Sequence, residues 1–264
     1  MRWSYKLGRI CDIDIYAHVT FFILLLWVLI SKLWANFSLA ASLISVASVI
    51  IVFAIVVLHE LGHSLAAHRF GVRCHDITLY PIGGVAHLER IPERPREEIL
   101  IAIAGPAVNL LLGALLIAIQ LFIVPHLASY LSPLIVVILA ELMWALIVTN
   151  VALLVFNLIP AFPMDGGRIL RAALAHKLDY LRATEIAIKV GKYLALVFVA
   201  VGIMYDSMLV LIAFFIWFGG ASELKVVQCR EYLRNAGMEG LLNIARSDAS
   251  TSSSPASSDI EAKA

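Results

Sequence analysis

A long hydrophobic segment that ends in three ionisable side chains places the strongest constraint on this fold. Residues 39–57 contain no charged side chain, and His59-Glu60-Leu61-Gly62-His63 follows almost at once. An apolar run of this length can cross a lipid bilayer as a helix, which takes about 20 residues. Ionisable groups at membrane depth are costly and usually mark function. The segment therefore predicts a membrane helix with a functional site near its end.

The composition extends this prediction to the whole chain. Of the 264 residues, 61% are hydrophobic and only 15% are charged, and the mean hydropathy is +0.92. A water-soluble domain cannot bury so much apolar surface, so we expect a polytopic protein embedded in a lipid bilayer. The net charge of +1 gives no reason to expect nucleic acid as a partner. The three cysteines are too scattered for a disulfide framework and are expected to be free thiols.

Six hydrophobic segments read as membrane spans, at about residues 18–34, 39–70, 98–124, 134–159, 183–205 and 207–220. The predicted fold class is therefore an all-α polytopic membrane protein with six transmembrane helices. We expect one six-span domain over residues 18–225. Residues 1–17 are expected to form a polar cytoplasmic lead. Residues 226–264 are expected to form a cytoplasmic tail that is disordered from about residue 247, where Ser and Ala dominate.

The segment between the second and third spans interrupts the hydrophobic pattern. Residues 72–80 and 85–88 read as short strands on either side of Pro81-Ile82-Gly83-Gly84. This pattern predicts a short β-hairpin or a re-entrant loop on the cytoplasmic side of the membrane.

The distribution of positive charge predicts the orientation. All but one of the 20 lysines and arginines lie before the first span, within residues 69–96 and 168–192, or after residue 221. Cytoplasmic segments near spans are enriched in these residues. Six spans in the cell membrane with both termini in the cytoplasm fit this asymmetry, and they place His59 and His63 near the cytoplasmic end of the second span.

The spacing of the two histidines is typical of a zinc site. Residues four apart on a helix lie about 40° from each other around its axis, so His59 and His63 share one face. Two imidazoles placed in this way can bind one Zn²⁺ ion. Glu60 stands beside them and can accept a proton from an activated water molecule, which is the arrangement of a His-Glu-x-x-His metalloprotease.

A catalytic zinc site takes three protein ligands, so a third ligand is needed. The metzincin class is excluded because Ala66 and Arg69 stand where that class has glycine and histidine. His68 lies about half a turn from His59 and faces the wrong side of the helix. The remaining candidates lie outside this helix: His75, His87, Glu89, Glu141 and Asp165.

Asp165 is the strongest of these candidates. Two prolines end the fourth span just before it, at the end of the span where His63 is also expected. The glycines that follow, Gly166 and Gly167, let the backbone approach other groups closely. Aspartate is also a favoured N-cap residue, and an amphipathic helix is predicted over residues 168–178. On the local sequence alone, Asp165 is therefore either a metal ligand or a helix cap.

Four motifs together resemble the site-2 protease family of intramembrane zinc metalloproteases. The resemblance covers about residues 15–225, and its motifs are His59-Glu60-Leu61-Gly62-His63, Gly83-Gly84, Ala104-Gly105-Pro106-Ala107-Val108-Asn109 and Phe156-Asn157-Leu158-Ile159-Pro160-Ala161-Phe162-Pro163-Met164-Asp165-Gly166-Gly167-Arg168. The connection between the third and fourth spans is too short for the PDZ domain of one branch, and the tail after the sixth span is too short for the paired CBS domains common in the compact branch. The chain otherwise resembles the compact branch, and we expect it to be a member without either module.

The resemblance implies a function and a site. His59, His63 and Asp165 would bind one Zn²⁺, Glu60 would activate water, and Asn157 would position the substrate or its oxyanion. The implied activity is hydrolysis of peptide bonds within or next to the spans of membrane-anchored proteins, often regulators in signalling. An alternative from the residues themselves is a transporter of metal ions or solutes, in which the same polar groups form a transit site.

Overall fold

The computed structural model describes residues 3–89, 94–127 and 129–237, and the disorder predicted from residue 247 lies outside these residues. The fold is mostly helical with one small sheet. Its strands are β1 (Ser4–Ile10), β2 (Ile13–His18), β3 (Cys74–Tyr80) and β4 (Gly83–Leu88). Its helices are α1 (Val19–Trp34), α2 (Leu39–Arg69), α3 (Pro95–Ala118), α4 (Val124–Leu127), α5 (Pro133–Leu158), α6 (Asp165–Ala175), α7 (Tyr180–Met204) and α8 (Ser207–Asn235).

Within the described residues, five helical stretches are long and apolar enough to cross a membrane, in agreement with a multi-pass membrane protein. They are α2, the stretch from Pro95 to Leu127 that joins α3 to α4 through a π-helical turn, α5, α7 and α8. The predicted first span corresponds to α1, which is apolar but has only 16 residues. That is shorter than the roughly 20 residues that a spanning helix needs. The predicted total of six spans therefore depends on α1.

The strands form one four-stranded sheet in the order β1-β2-β3-β4. Strands β3 and β4 are antiparallel, which confirms the hairpin predicted after the second span. Strand β2 pairs with β3 in parallel, so that Ile15 lies opposite Ile77, and α1 and α2 form the connection between them. Strands β1 and β2 are antiparallel and complete the sheet.

The N-terminal strands correct two predictions. Residues 4–18 are not a simple polar lead, and the all-α class leaves out the sheet. The local sequence explains the difference, since Ile13, Ile15 and Ala17 alternate with less buried residues along β2. This period of two is the pattern of a strand with one face in the core. Strand β2 has only six residues, so the pattern is too short to stand out in the sequence.

The buried face of the sheet packs on the part of α2 that leads to the histidines. Phe53, Val57 and Leu61 of α2 form one hydrophobic cluster with Ile15 and Ile77 of the sheet. These three helix residues recur every four positions, so they form one stripe on the side of α2 that faces the sheet. The sheet therefore fixes the rotation of α2 about its axis.

Two further helix boundaries differ from the predictions. Helix α6 begins at Asp165 and ends at Ala175, three residues earlier at each end than the predicted amphipathic helix. Helix α8 continues to Asn235, so the predicted end of the last span at residue 220 and the domain boundary at residue 225 both fall inside it.

Candidate metal centre

Three buried side chains from two helices meet at one point. His59 and His63 lie one turn apart on α2, and their Nε2 atoms are 3.0 Å from each other. The Oδ2 atom of Asp165 lies 3.1 Å from each of these nitrogens. Among the described residues, this is the group of histidine, cysteine and acidic side chains whose geometry allows it to hold a metal ion.

The turn between α5 and α6 places Asp165 next to the two histidines. Gly166 and Gly167 lie against the backbone of the turn, where a Cβ atom on Gly167 would be 2.6 Å from the carbonyl carbon of Ala161. A larger residue at either position would move α6 away from the turn. The N-cap position of α6 is occupied by Met164 and not by Asp165. The helix-cap interpretation of Asp165 is therefore wrong.

The tautomer of His63 suits a metal ligand. Its Nδ1 atom lies 2.7 Å from the carbonyl oxygen of Ile101 in α3, so this nitrogen carries the proton and donates it to the carbonyl. The lone pair of the neutral ring is then on Nε2, which faces His59 and Asp165. Metal-binding histidines commonly use their second nitrogen in this way, which fixes the orientation of the ring.

Gly105 allows α3 to approach both imidazoles. A Cβ atom at this position would lie 2.7 Å from Nε2 of His59 and even closer to Nε2 of His63. On α2, a Cβ atom on Gly62 would lie 2.8 Å from the carbonyl oxygen of Ala104. The position of Gly105 against the two imidazoles was not predicted from the sequence, because the motif around Gly105 contains no metal ligand of its own.

The donor set fits zinc. Two imidazole nitrogens and one carboxylate oxygen are typical ligands of a catalytic zinc site, which keeps a further position open. Zinc–ligand distances of about 2.0–2.2 Å in a tetrahedral arrangement place ligand atoms about 3.3 Å apart, close to the separations seen here. Two lone pairs and a carboxylate repel one another at such distances unless a cation or a proton lies between them. The centre therefore has both the ligands and the spacing for one Zn²⁺.

Glu60 and Asn157 flank the centre in different ways. Glu60 follows His59 on α2, and its side chain lies against β4, where a Cβ atom on Gly84 would be 2.9 Å from its Cγ atom. Like Gly105, Gly84 therefore leaves space for a side chain of the site. Asn157 is half-buried in the last turn of α5, and its Nδ2 atom donates to the carbonyl oxygen of Leu153 at 3.0 Å.

The other candidates for a third ligand lie elsewhere. Three of them are exposed: His75, Glu89 and Glu141, and His68, which the sequence already excluded, is exposed as well. His87 pairs with Asp76 across β3 and β4, with its Nδ1 atom 3.0 Å from a carboxylate oxygen. This bond raises the pKa of His87 above its ordinary value. Burial opposes the charge of Asp76, but hydrogen bonds from His87 and Thr78 hold its pKa below the usual range. The pair therefore has a local structural role.

A buried arginine secures the helix that carries Asp165. Arg171 of α6 is 1% exposed and bonds to Glu98 of α3 and Glu223 of α8. Its guanidinium carbon also lies 4.8 Å from the centres of the Phe162 and Tyr180 rings. Removing one partner of a buried ion pair costs about 3–5 kcal/mol. This cluster therefore fixes α6 against α3, α8 and the turn before it.

The comparisons with known proteins agree with this site. The model of peptidase family M50 matches residues 47–137 and 124–198, more than half of the chain. The chain belongs to peptidase family M50. The matched region contains both histidines and Asp165.

Individual members of the family are similar over most of the chain. A zinc metalloprotease of Methanocaldococcus jannaschii is 40% identical over 236 residues, which cover 89% of this chain and 65% of that relative. Rip3 of Mycobacterium tuberculosis, also named as a zinc metalloprotease, is 33% identical over 77% of this chain and 52% of its own length. The chain thus spans about half to two thirds of the length of these curated relatives.

A solved structure extends the comparison to the fold. The site-2 protease from Methanocaldococcus jannaschii matches with a TM-score of 0.58 and 39% identity, covering 84% of this chain and 95% of that chain. The resemblance to site-2 proteases that the sequence motifs indicate is therefore confirmed. The names of these relatives as zinc metalloproteases agree with the donor set of His59, His63 and Asp165, which could hold one metal ion.

Gly105→Ala should weaken zinc binding while the protein still inserts and folds. The added methyl group must push against both imidazoles, and disturbing the groups that orient metal ligands typically costs about 10–100-fold in metal affinity. Competition with a chelator measures the zinc affinity of the purified variant. Gly8→Ala is the matched control, because nothing lies within 4 Å of its added methyl group. Wild-type zinc affinity in Gly105→Ala would contradict the close contact.

Asp165→Asn should lower bound zinc per molecule, because the amide lacks the negative charge that holds a dication. Elemental analysis of the purified protein measures the zinc, and circular dichroism checks the fold. Glu89→Gln is the control, since Glu89 is an exposed acid at the end of β4 and should keep its zinc. Full zinc in Asp165→Asn together with loss in Glu89→Gln would transfer the role of third ligand to the loop.

Proposed function

We propose that this chain is an intramembrane zinc metalloprotease that hydrolyses peptide bonds within or next to the spans of membrane-anchored proteins, as a step in regulated signalling. The observation that carries the proposal is the meeting of His59 and His63 with Asp165, with all separations between 3.0 and 3.1 Å. These three side chains would be the zinc ligands. Family membership supports the peptidase activity.

The chemistry divides between the metal and Glu60. A zinc ion bound by His59, His63 and Asp165 would supply Lewis acidity for the activation of water and the polarisation of a peptide carbonyl. Glu60 is the general base that accepts the proton of the attacking water and then delivers it to the leaving amine nitrogen. The position of Glu60 next to His59 on α2 and the space that Gly84 leaves beside its side chain support this role.

The sheet offers a means of holding an extended substrate. A helical substrate has its carbonyls in backbone hydrogen bonds, so it must unwind before hydrolysis. Strand β4 pairs with β3 on one side and stands at the edge of the sheet, with its Gly84 against Glu60. A substrate segment added to this edge would lie next to the base. Asn157, at the other side of the turn that carries Asp165, would position the substrate or its oxyanion.

The transporter alternative uses the same polar residues, but it leaves Glu60 without a required role. A transit site for metal ions needs ligands and does not need a base. The relatives named as zinc metalloproteases favour hydrolysis over transport.

Glu60→Gln should retain zinc and fold but lose proteolysis, because an amide can neither accept nor return the proton. General acid–base groups contribute about 10²–10⁴-fold to the rate, and the loss should lie at the upper end of this range. Cleavage of candidate single-span proteins by the wild type and the variant, each purified in detergent, measures the effect. Normal cleavage by zinc-loaded Glu60→Gln would refute the mechanism.

The proposed orientation places six spans, including α1, in the cell membrane with both termini in the cytoplasm. It rests on the positive charges, because all but one of the 20 lysines and arginines lie in segments assigned to the cytoplasm or in the adjoining halves of spans. The exception, Lys32, lies near the end of α1. On this orientation the metal centre opens towards the cytoplasmic side.

Reporter fusions after residues 37, 74, 131, 178 and 206 should test this orientation. The fusions at residues 74 and 178 should report a cytoplasmic location, and the others an external one, because positive charge is retained inside. An external signal at residue 74 would contradict the orientation and would place the metal centre at the opposite face of the membrane.

A further inference from the structure

Two asparagines are completely buried between α3 and α5, away from any aqueous surface. Asn109 of α3 and Asn150 of α5 both have no exposed surface. The Nδ2 atom of Asn150 donates to the backbone carbonyl oxygen of Asn109 at 2.7 Å. Gly113 makes this approach possible, because a Cβ atom there would lie 2.9 Å from the same Nδ2 atom. The bond joins the two helices at a single point.

The surroundings of the pair are apolar. On the neighbouring turns, Leu112 and Leu116 of α3 and Leu146 and Ile147 of α5 belong to one hydrophobic cluster. Both helices are among those long and apolar enough to span the membrane. Lipid and aliphatic side chains cannot replace the hydrogen bonds that an amide makes in water, so each amide atom here must find a partner inside the protein.

Three amide atoms of the pair have no protein partner among the described residues. They are Nδ2 and Oδ1 of Asn109 and Oδ1 of Asn150. Rotating the Asn109 amide by 180° would only exchange its two unpaired atoms. Rotating the Asn150 amide would bring its oxygen against the Asn109 carbonyl oxygen and would break the existing bond. The side chains therefore point to a ligand that both donates and accepts hydrogen bonds.

We propose that Asn109 and Asn150 form a water-binding site inside the membrane domain. The unpaired atoms comprise one donor group and two acceptor oxygens, and a water molecule both donates and accepts. A metal cation would leave the Asn109 N–H groups unmatched, and an anion would face two oxygens. Buried waters in proteins typically bind about three polar groups that would otherwise be unpaired. The site thus has the number and the kind of partners that one water requires.

The site is distinct from the metal centre but lies near it. Asn109 is one helical turn beyond Gly105, the residue that contacts both imidazoles. The four residues from Gly105 to Asn109 advance the helix by about 6 Å along its axis. Water therefore occupies the membrane domain at a depth that the apolar sequence of α3 and α5 does not indicate. The inference rests on burial and unpaired amides, so it stands whether or not the chain is a protease.

The direct test is a structure of the full chain in a lipid nanodisc, at a resolution that shows ordered solvent. We expect density for a water molecule within hydrogen-bonding distance of the Asn109 amide and Oδ1 of Asn150. Amides that bond to each other or to helix carbonyls, with no density between them, would overturn the proposal.

Substitutions provide an independent test. Asn109→Leu and Asn150→Leu should each lower the melting temperature by several degrees, because each leaves amide atoms of the other asparagine buried without a partner. The double variant should recover most of this loss, since two leucines of similar size need no water. Additive losses in the double variant would contradict a shared site. Radiolytic labelling in ¹⁸O-water should mark the side chains around the pair in the wild type and not in the double variant.

Thr184→Val is the matched control for the labelling. Thr184 is also completely buried, but its hydroxyl donates to the carbonyl oxygen of Tyr180 in its own helix at 2.8 Å. It needs no water, so the variant should keep the label near Asn109 and Asn150. Equal labelling in the wild type and the double asparagine variant would place the water elsewhere and overturn the proposal.

Discussion

The structure depends on the pairing of polar side chains between apolar helices. Each imidazole, carboxylate or guanidinium that leaves water here must find a compensating group inside the protein. His59 and His63 of α2 pair with Asp165 of α6. Arg171 of α6 pairs with Glu98 of α3 and Glu223 of α8. These pairings select which helices can be neighbours, because the apolar surfaces of the helices alone are nearly interchangeable.

Glycines allow the helices that carry these paired side chains to approach one another closely. Gly62 and Gly105 bring α2 and α3 together around the imidazoles, and Gly166 and Gly167 seat the start of α6 against its own turn. Helices in lipid associate mainly through close packing, which small residues permit. At each of these positions a larger side chain would collide with the atoms opposite it. Both sides of the metal centre are therefore closely packed.

Much of the site was predictable from the sequence, and the reasons are physical. The His-x-x-x-His spacing places two imidazoles on one helical face wherever the helix lies. The local sequence did not separate the two roles of Asp165, because a short acidic side chain can serve both as a helix cap and as a metal ligand. The resemblance to site-2 proteases favoured the ligand, and the position of Met164 as the N-cap agrees with it. Strands β1 and β2 were missed, since β2 is short and its partner β3 lies some 60 residues away.

X-ray absorption spectroscopy at the zinc edge of the purified full chain tests the central claim most directly. The account predicts two imidazole ligands and oxygen ligands for the rest, all at about 2.0–2.2 Å. A sulfur ligand at about 2.3 Å would contradict it, because that ligand would have to come from a cysteine such as Cys74 and not from the group of His59, His63 and Asp165. A spectrum with fewer than two imidazoles would contradict it equally, because it would remove His59 or His63 from the metal.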